Sequence, residues 1–136
     1  MYHLGFSGAR NGMTGHQKIT FLSKLSALRA RHGKVTLHHG DCVGSDADAH
    51  EIAVSLALDI TIHPPVNEKL RAFCAGDGVV VMPPKNYLDR DKDIVMVSDG
   101  LIATPGTIIE NPRSGTWTTV RYARKAGKPV IVIPPL

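Results

Sequence analysis

Short apolar runs alternate along the chain with longer segments in which apolar residues recur at helical spacing. The runs are apolar throughout rather than at every second residue, which is typical of strands buried on both faces of a parallel sheet. The run 79–82 fits a short strand or an extended connection equally well. The predicted strands are His3–Ser7, Val35–Gly40, Asp59–His63, Val79–Met82, Gly100–Thr104 and Val130–Ile133.

The longest predicted helix begins after Thr14, a suitable N-cap, and ends at about His32, before Gly33. We expect its buried stripe to consist of four apolar residues at helical spacing. These residues are Ile19, Leu22, Leu25 and Leu28. The remaining predicted helices are Asp46–Ala57, Val66–Cys74, Tyr87–Val97 and Gly115–Ala126.

The alternation of strands and helices over residues 1–136 predicts one α/β domain. We expect a Rossmann-like three-layer sandwich with a mostly parallel sheet of about five strands. Ligands of such sheets bind beyond the carboxyl ends of the strands. The loops after Ser7, His39, His63 and Thr104 are therefore the candidate site.

The chain carries a net charge of +4, which favours anionic partners. Aromatic residues make up only 5%, so a platform that stacks the bases of single strands is not expected. No membrane-length apolar stretch or signal region is present, and we expect a cytoplasmic protein without a membrane partner. The two cysteines, Cys42 and Cys74, predict reduced structural thiols.

Two loops combine small residues with groups that bind phosphate. After the strand 100–104, Thr104, Pro105 and Gly106 form a turn, and the next helix opens with hydroxyls and free backbone N–H groups, a suitable place for an anion. The loop after the first strand offers close backbone approach and a planar guanidinium, although a plain tight turn would look the same. The phosphate-binding candidates are Ser7, Gly8, Arg10, Thr104, Pro105, Gly106, Ser114, Gly115 and Thr116.

A third loop, after the second strand, contains two glycines, a hydroxyl and two carboxylates. A carboxylate at the mouth of such a site accepts hydrogen bonds from ribose, although Ser45 or Asp46 could equally be a helix N-cap. Arg90 lies in a charged run that fits either a solvated helix face or a residue pointing into the site. The candidates from these segments are Gly40, Asp41, Gly44, Ser45, Asp46 and Arg90.

The histidines do not predict a metal centre. His38 and His39 are neighbours on a strand and point to opposite faces, and Asp46 with His50 is only a pair. We therefore expect no metal and no resident cofactor. His63, at a strand end, is a candidate hydrogen-bonding residue of the site, whereas Trp117 fits the core slightly better than the pocket.

These motifs together resemble the SLOG superfamily, which joins the DNA-processing Smf proteins with the Lonely Guy phosphoribohydrolases. The resemblance rests on four segments and covers nearly the whole chain. It implies a Rossmann-like sheet, a nucleotide or nucleotide-derived ligand and frequent self-association, and the chain looks most similar to small single-domain members. The four segments are 5–10, 39–48, 90–95 and 105–116.

One motif departs from the phosphoribohydrolase pattern Pro-Gly-Gly-x-Gly-Thr-x-x-Glu. Here Pro105-Gly106 is separated from Gly115-Thr116, and Thr119 stands where the pattern has its glutamate. Glu110 lies in the intervening loop and is a candidate substitute.

We therefore expect a protein that binds a nucleotide or a nucleotide-derived signalling molecule and senses or sequesters it. The alternative is a nucleotide N-glycosidic-bond hydrolase with Glu110, Asp46 or Asp91 as acid or base. A second alternative is single-stranded nucleic-acid binding.

Overall fold

A computed structural model describes residues 1–74 and 76–136. Within these residues, six strands and four α-helices follow one another, and an α-helix separates each pair of consecutive strands except the third and the fourth. The strands are β1 (Tyr2–Gly8), β2 (Val35–His39), β3 (Asp59–Ile62), β4 (Val80–Val81), β5 (Gly100–Thr104) and β6 (Val130–Val132). The helices are α1 (Gly15–His32), α2 (Ser45–Ser55), α3 (Tyr87–Val97) and α4 (Gly115–Lys125).

The strands form one sheet in the order β4-β3-β2-β1-β5-β6, and every neighbouring pair is parallel. The predicted Rossmann-like α/β fold is confirmed, with six strands in place of about five. The sixth strand is the segment that the sequence left ambiguous, because Val80 and Val81 pair with Thr61 and Ile62.

Two apolar layers enclose the sheet. One contains Leu4 and Phe6 of β1 packed against Phe21 of α1, and the other contains Leu101 of β5 packed against Val120 of α4. The chain moves from β1 to β4 in one direction and then crosses to β5, on the other side of β1. The loops after β1 and β5 consequently diverge to opposite faces, and a crevice opens between them.

The buried face of α1 differs from the predicted stripe. Phe21 and Leu25 are fully buried, but Ile19 is 73% exposed and Leu22 is 40% exposed. Two residues determine which face of α1 is buried. Phe21 makes an edge-on contact with Phe6, with the ring centroids 5.1 Å apart, and the polar residue Gln17 is buried on the same helix. The prediction that Ile19 and Leu22 are buried was therefore wrong.

The predicted helix 66–74 is also wrong, because only a single 3-10 turn forms, at Glu68–Leu70. The residues after this turn donate hydrogen bonds to Asp41 instead of to backbone carbonyls of a helix. Ala72 donates its backbone N–H to the Asp41 carbonyl at 2.7 Å, and Cys74 donates to Asp41 Oδ1 at 2.8 Å. These bonds hold residues 72 and 74 against Asp41.

The cysteines and helices of the described residues bear on two further expectations. Cys42 and Cys74 are free thiols. Of the helices in residues 1–74 and 76–136, not one is long and apolar enough to cross a membrane.

Candidate functional site

A cleft of about 510 Å³ opens at the carboxyl ends of β1, β2 and β5. Its walls are the β1–α1 loop, the starts of α3 and α4, and the loop between β5 and α4. Eleven of the residues predicted as site residues line it. They are Ser7, Gly8, Arg10, Gly40, Asp46, Arg90, Asp91, Gly106, Ser114, Gly115 and Thr116.

Backbone contacts fix the β1–α1 loop against its neighbours. Ala9 donates its N–H to the Thr104 carbonyl at 3.1 Å, and the Ala9 carbonyl accepts from Ser45 N–H at 3.0 Å. This approach requires glycine at position 44, which has a φ of 91° and where a Cβ would collide with the Arg10 carbonyl. The loop that carries Arg10 is thus held rigidly at the floor of the crevice.

The start of α4 presents the positive end of a helix to the cleft. Ser114 is the N-cap and accepts from Trp117 N–H at 3.3 Å. No acidic residue lies in the first turn of α4 to neutralise the partial charge of its amides. Arg113, directly before the cap, also lines the cleft. This end of the cleft therefore favours an anion.

Arg90 forms the inner end of the cleft. It is only 4% exposed, and its Nη1 donates to the Gly40 carbonyl at 2.6 Å and contacts Cys42 Sγ at 3.3 Å. A Cβ at Gly40 would overlap the Arg90 guanidinium, so glycine at this position leaves the space that the guanidinium occupies. Arg90 Nε is 3.1 Å from Asp91 Oδ1 but has no hydrogen-bond partner within the described part of the chain. A buried guanidinium with an unused N–H is suited to a ligand.

Two buried carboxyls lie beside Arg90. Burial raises the pKa of Asp46 to about 7, although Arg90 and the N–H of Cys42, which donates to Asp46 Oδ2 at 3.1 Å, act in the opposite direction. Burial likewise raises the pKa of Asp91 to about 6, again against Arg90. Near neutral pH the carboxyls therefore cancel only part of the positive charge that lines the cleft.

Thr119, which replaces the glutamate of the phosphoribohydrolase pattern, supports one of these carboxyls. Its hydroxyl donates to Asp91 Oδ2 at 3.1 Å, and it is also placed 3.0 Å from the Gly115 carbonyl of the preceding turn. Thr119 is buried beneath the cleft and does not line it. It orients Asp91 rather than taking the place of a catalytic acid.

Two predicted site residues lie away from the cleft. Asp41 is fully buried with a φ of 54°, and its carboxylate pairs with Arg71 Nε at 2.7 Å. It anchors the segment after the 3-10 turn. Glu110 lies on the exposed side of its loop and pairs with Arg121 at 3.0 Å and Arg124 at 3.9 Å.

Four more predicted residues, Gly44, Ser45, Thr104 and Pro105, lie directly behind the lining. The hydroxyls of Ser45 and Thr104 are buried on either side of Gly8 and have no partner among residues 1–74 and 76–136. The Pro105 carbonyl accepts from Gln17 Nε2 at 2.9 Å. These residues shape the wall, and a side chain on Gly8 would collide with both hydroxyls.

Sequence reasoning missed several lining residues, notably Tyr87, Asn111 and Arg113. Tyr87 precedes Arg90 by one helical turn, so the two share a helix face, and that spacing is the signal that could have found it. Arg113 is adjacent to the predicted cap. Asn111 belongs to an irregular loop without a periodic pattern, and nothing in the sequence marks it.

The histidines form two hydrogen-bonded groups outside the cleft. His38 bridges His3 at 2.9 Å and His63 at 3.0 Å on one face of the sheet, while His39 contacts His50 at 2.9 Å on the other. His63 is thus part of this chain of rings and does not line the cleft. Within the described residues, no group of three histidine, cysteine or acidic side chains could hold a metal ion.

Trp117 lies in the core between α4 and β5 and is 6% exposed. Its Nε1 donates to Thr107 Oγ1 at 3.0 Å, which ties the β5–α4 loop to the helix that follows it.

Comparison with known proteins identifies the fold. No protein-family model matches the chain, and no curated protein matches it. Among solved structures, the chain is similar to the molybdenum cofactor binding protein from the phototrophic bacterium Rippkaea orientalis. The TM-score is 0.70 at 24% identity, over 98% of this chain and 76% of that one.

Two further structures share the fold. The Moco carrier protein from Chlamydomonas reinhardtii gives a TM-score of 0.68 at 22% identity, over 97% of this chain and 75% of that one. DNA processing protein A from Helicobacter pylori is described with a single-stranded DNA binding mode. It gives a TM-score of 0.70 at 20% identity, over 98% of this chain and 65% of that one. The structural likeness and the resemblance in sequence therefore point to the same Rossmann-like fold.

Proposed function

We propose that the cleft binds a nucleotide or a nucleotide-derived signalling molecule, which the protein senses or sequesters. The observation that carries this proposal is the convergence of three arginines, Arg10, Arg90 and Arg113, on one cleft that also contains the start of α4. Guanidinium groups and free helix amides are the groups that proteins use for phosphate. We place the phosphate between Arg10, Arg113 and the first turn of α4.

The remaining part of the ligand lies toward Arg90. Asp46 and Asp91 offer carboxylate oxygens that suit ribose hydroxyls or the N–H groups of a base, and Arg90 Nε offers an unused donor. The structural neighbours support a ligand-binding role, because one is named as a molybdenum cofactor binding protein, one as a Moco carrier protein, and a third is described with a single-stranded DNA binding mode. We further propose that the chain self-associates, as the resemblance implies, and that it acts in the cytoplasm.

A second candidate function is hydrolysis of a nucleotide's N-glycosidic bond. The observation in its favour is the pair of carboxyls whose pKa values, about 7 and about 6, lie near neutral pH, where a general acid is most effective. In this mechanism Asp46 or Asp91 acts as acid or base. Glu110 is not used, because it is ion-paired on the outer side of its loop.

Calorimetric titration of the four nucleoside monophosphates and their nucleosides tests the binding proposal. We expect at least one monophosphate to bind about tenfold or more tightly than its nucleoside, since charge-assisted hydrogen bonds to phosphate are strong. Arg10→Gln and Arg113→Gln should remove this preference, and Arg31→Gln, an exposed arginine on α1, is the matched control. Equal affinity for phosphorylated and unphosphorylated ligands would contradict the proposal.

The same samples separate the alternatives. Free base released from a monophosphate, and lost in Asp46→Asn or Asp91→Asn, would establish the hydrolase, whereas binding without release supports a sensor. Tight binding of a single-stranded oligonucleotide that weakens steeply with salt would favour nucleic-acid binding instead. Light scattering during size-exclusion chromatography measures the self-association.

A further inference from the structure

Tyr87 spans the cleft from α3 to the start of α4. It is the first residue of α3, it is half-buried, and it lines the cleft. On the opposite wall, α4 begins at Gly115, where a Cβ would coincide with the Tyr87 hydroxyl. The phenol oxygen therefore lies directly against the first residue of α4, and the absence of a side chain at position 115 leaves room for it.

A contact to the Tyr87 ring and the cap of its helix hold the residue in this position. The Arg90 guanidinium lies over the ring, 5.2 Å from its centroid, which is a favourable cation–π distance. The start of α3 is fixed by Asn86, whose side chain accepts from Asp89 N–H at 3.0 Å. The phenol is thus aimed from a capped helix, over a buried cation, at the place where we propose that phosphate binds.

We infer that Tyr87 determines the specificity of the cleft, because its hydroxyl donates a hydrogen bond to a phosphate bound at the start of α4. The residue thereby selects phosphorylated ligands over their unphosphorylated forms. This inference rests on the proposed function and deepens it. Tyr87 differs in this from the arginines, which attract any anion. A neutral donor at a fixed point also requires the anion to have the right position.

The electrostatics of the cleft agree with a donor role. Burial and the nearby Asp91 raise the pKa of Tyr87 to about 12, so the phenol keeps its proton at neutral pH. A protonated phenol donates to a phosphate oxygen, whereas a phenolate would repel it. The first turn of α4 carries no acidic side chain that would compete for this proton.

Tyr87→Phe tests the inference because it removes only the hydroxyl and keeps the ring over Arg90. We expect the affinity for a nucleoside monophosphate to fall about tenfold or more, with the affinity for the nucleoside unchanged. Tyr122→Phe is the matched control, since Tyr122 lies on α4, packs against the core and does not line the cleft. Titration calorimetry of both ligands gives the ratio of monophosphate affinity to nucleoside affinity, and the change in this ratio decides the test.

Gly115→Ala provides a second, independent variant. Its φ is not positive, so alanine fits the helix, and the methyl group should displace the phenol from the helix start. We expect Gly115→Ala to reduce monophosphate affinity as much as Tyr87→Phe does. The double variant should lose little more than either single one, because both remove the same hydrogen bond.

The outcomes distinguish this inference from the function on which it rests. If the wild-type protein binds no monophosphate, both fail. If it binds monophosphates and Tyr87→Phe binds them equally well, or loses affinity for nucleoside and monophosphate alike, only the role of Tyr87 is overturned. Fully additive losses in the double variant would also overturn it.

Discussion

Replacing Asp46 with asparagine should stabilise the protein, although the carboxyl lies in the proposed binding cleft. Asp46 is only 7% exposed, and its closest hydrogen bond is from the Cys42 N–H. Burial destabilises the charged form by more than Arg90 and this amide stabilise it, which is why the pKa of Asp46 is raised. Asparagine removes the charge but keeps a carbonyl oxygen that can accept from the same amide.

The magnitude follows from the difference between the usual aspartate pKa of 3.8 and about 7 in the folded protein. At about 1.4 kcal/mol for each pH unit, the ionised form of Asp46 costs up to about 4 kcal/mol of unfolding free energy at pH 8. The folded state binds this proton more tightly than the unfolded state does. The contribution of Asp46 is therefore fully present below pH 3.8 and is lost as the pH rises to about 7 and beyond.

Buried histidines give the wild-type protein the opposite pH dependence. Burial lowers the pKa of His38 to about 4, of His39 to about 3 and of His63 to about 4. Their contributions to stability are present above pH 6.5 and are lost as the pH falls toward 4. The effect of Asp46 must therefore be measured as a difference between variant and wild type at the same pH, because the histidine contributions then cancel.

Urea denaturation followed by circular dichroism at pH 5, 6, 7 and 8 measures this difference. We expect the gain in Asp46→Asn to be larger at pH 8 than at pH 5 by about 2–3 kcal/mol. Asp59→Asn is the control, since its side chain is 55% exposed and its ion pair with Lys34 contributes at most about 1 kcal/mol. A gain that does not change with pH, or a loss at pH 8, would refute the reasoning, because it would mean that Arg90 stabilises the charge more than burial opposes it.

Three further predictions concern residues that shape the cleft. Gly44→Ala should lower the melting temperature more than Gly33→Ala, because both glycines have positive φ but only a Cβ at 44 collides with a backbone carbonyl. Equal losses of melting temperature would show that the collision relaxes. Gln17→Leu leaves two buried carbonyls without their donor and should cost about 2–4 kcal/mol in urea denaturation, so a neutral result would contradict the role of these bonds. Trp117→Phe removes the tie to Thr107 and should increase proteolytic cleavage of the 107–113 loop, whereas unchanged cleavage would show that the loop is held by other contacts.

The order of the elements could be read from the sequence because uniformly apolar runs and helical spacing are local signals. The buried face of α1 could not. Gln17 occupies the core because its Nε2 donates to the carbonyls of Pro105 and Ile133, each at 2.9 Å. These partners are distant in sequence, and no local pattern distinguishes a buried glutamine from the exposed Ile19 two positions later.

The cleft was predictable as far as topology determines it, since the loops after β1 and β5 meet wherever parallel strands end together. The direction of single side chains was not. The positive φ of Asp41 turns its carboxylate to Arg71. The ion pair with Arg121 holds the Glu110 side chain on the outer side of its loop, away from the cleft. Tyr87 was missed because its importance depends on a contact with the glycine of a different helix.

The three-histidine chain also restricts where its protons can lie. A neutral imidazole carries one N–H, and His38 uses Nε2 toward His3 Nδ1 and Nδ1 toward His63 Nε2. If His38 donates from Nδ1, then His3 and His63 also carry the hydrogen on Nδ1. If it donates from Nε2, all three carry it on Nε2. The rings must therefore exchange tautomer together, as one two-state unit that runs from β1 across β2 to the residue after β3. The Asp41 amide that donates to His39 Nδ1, by contrast, fixes that ring in a single form.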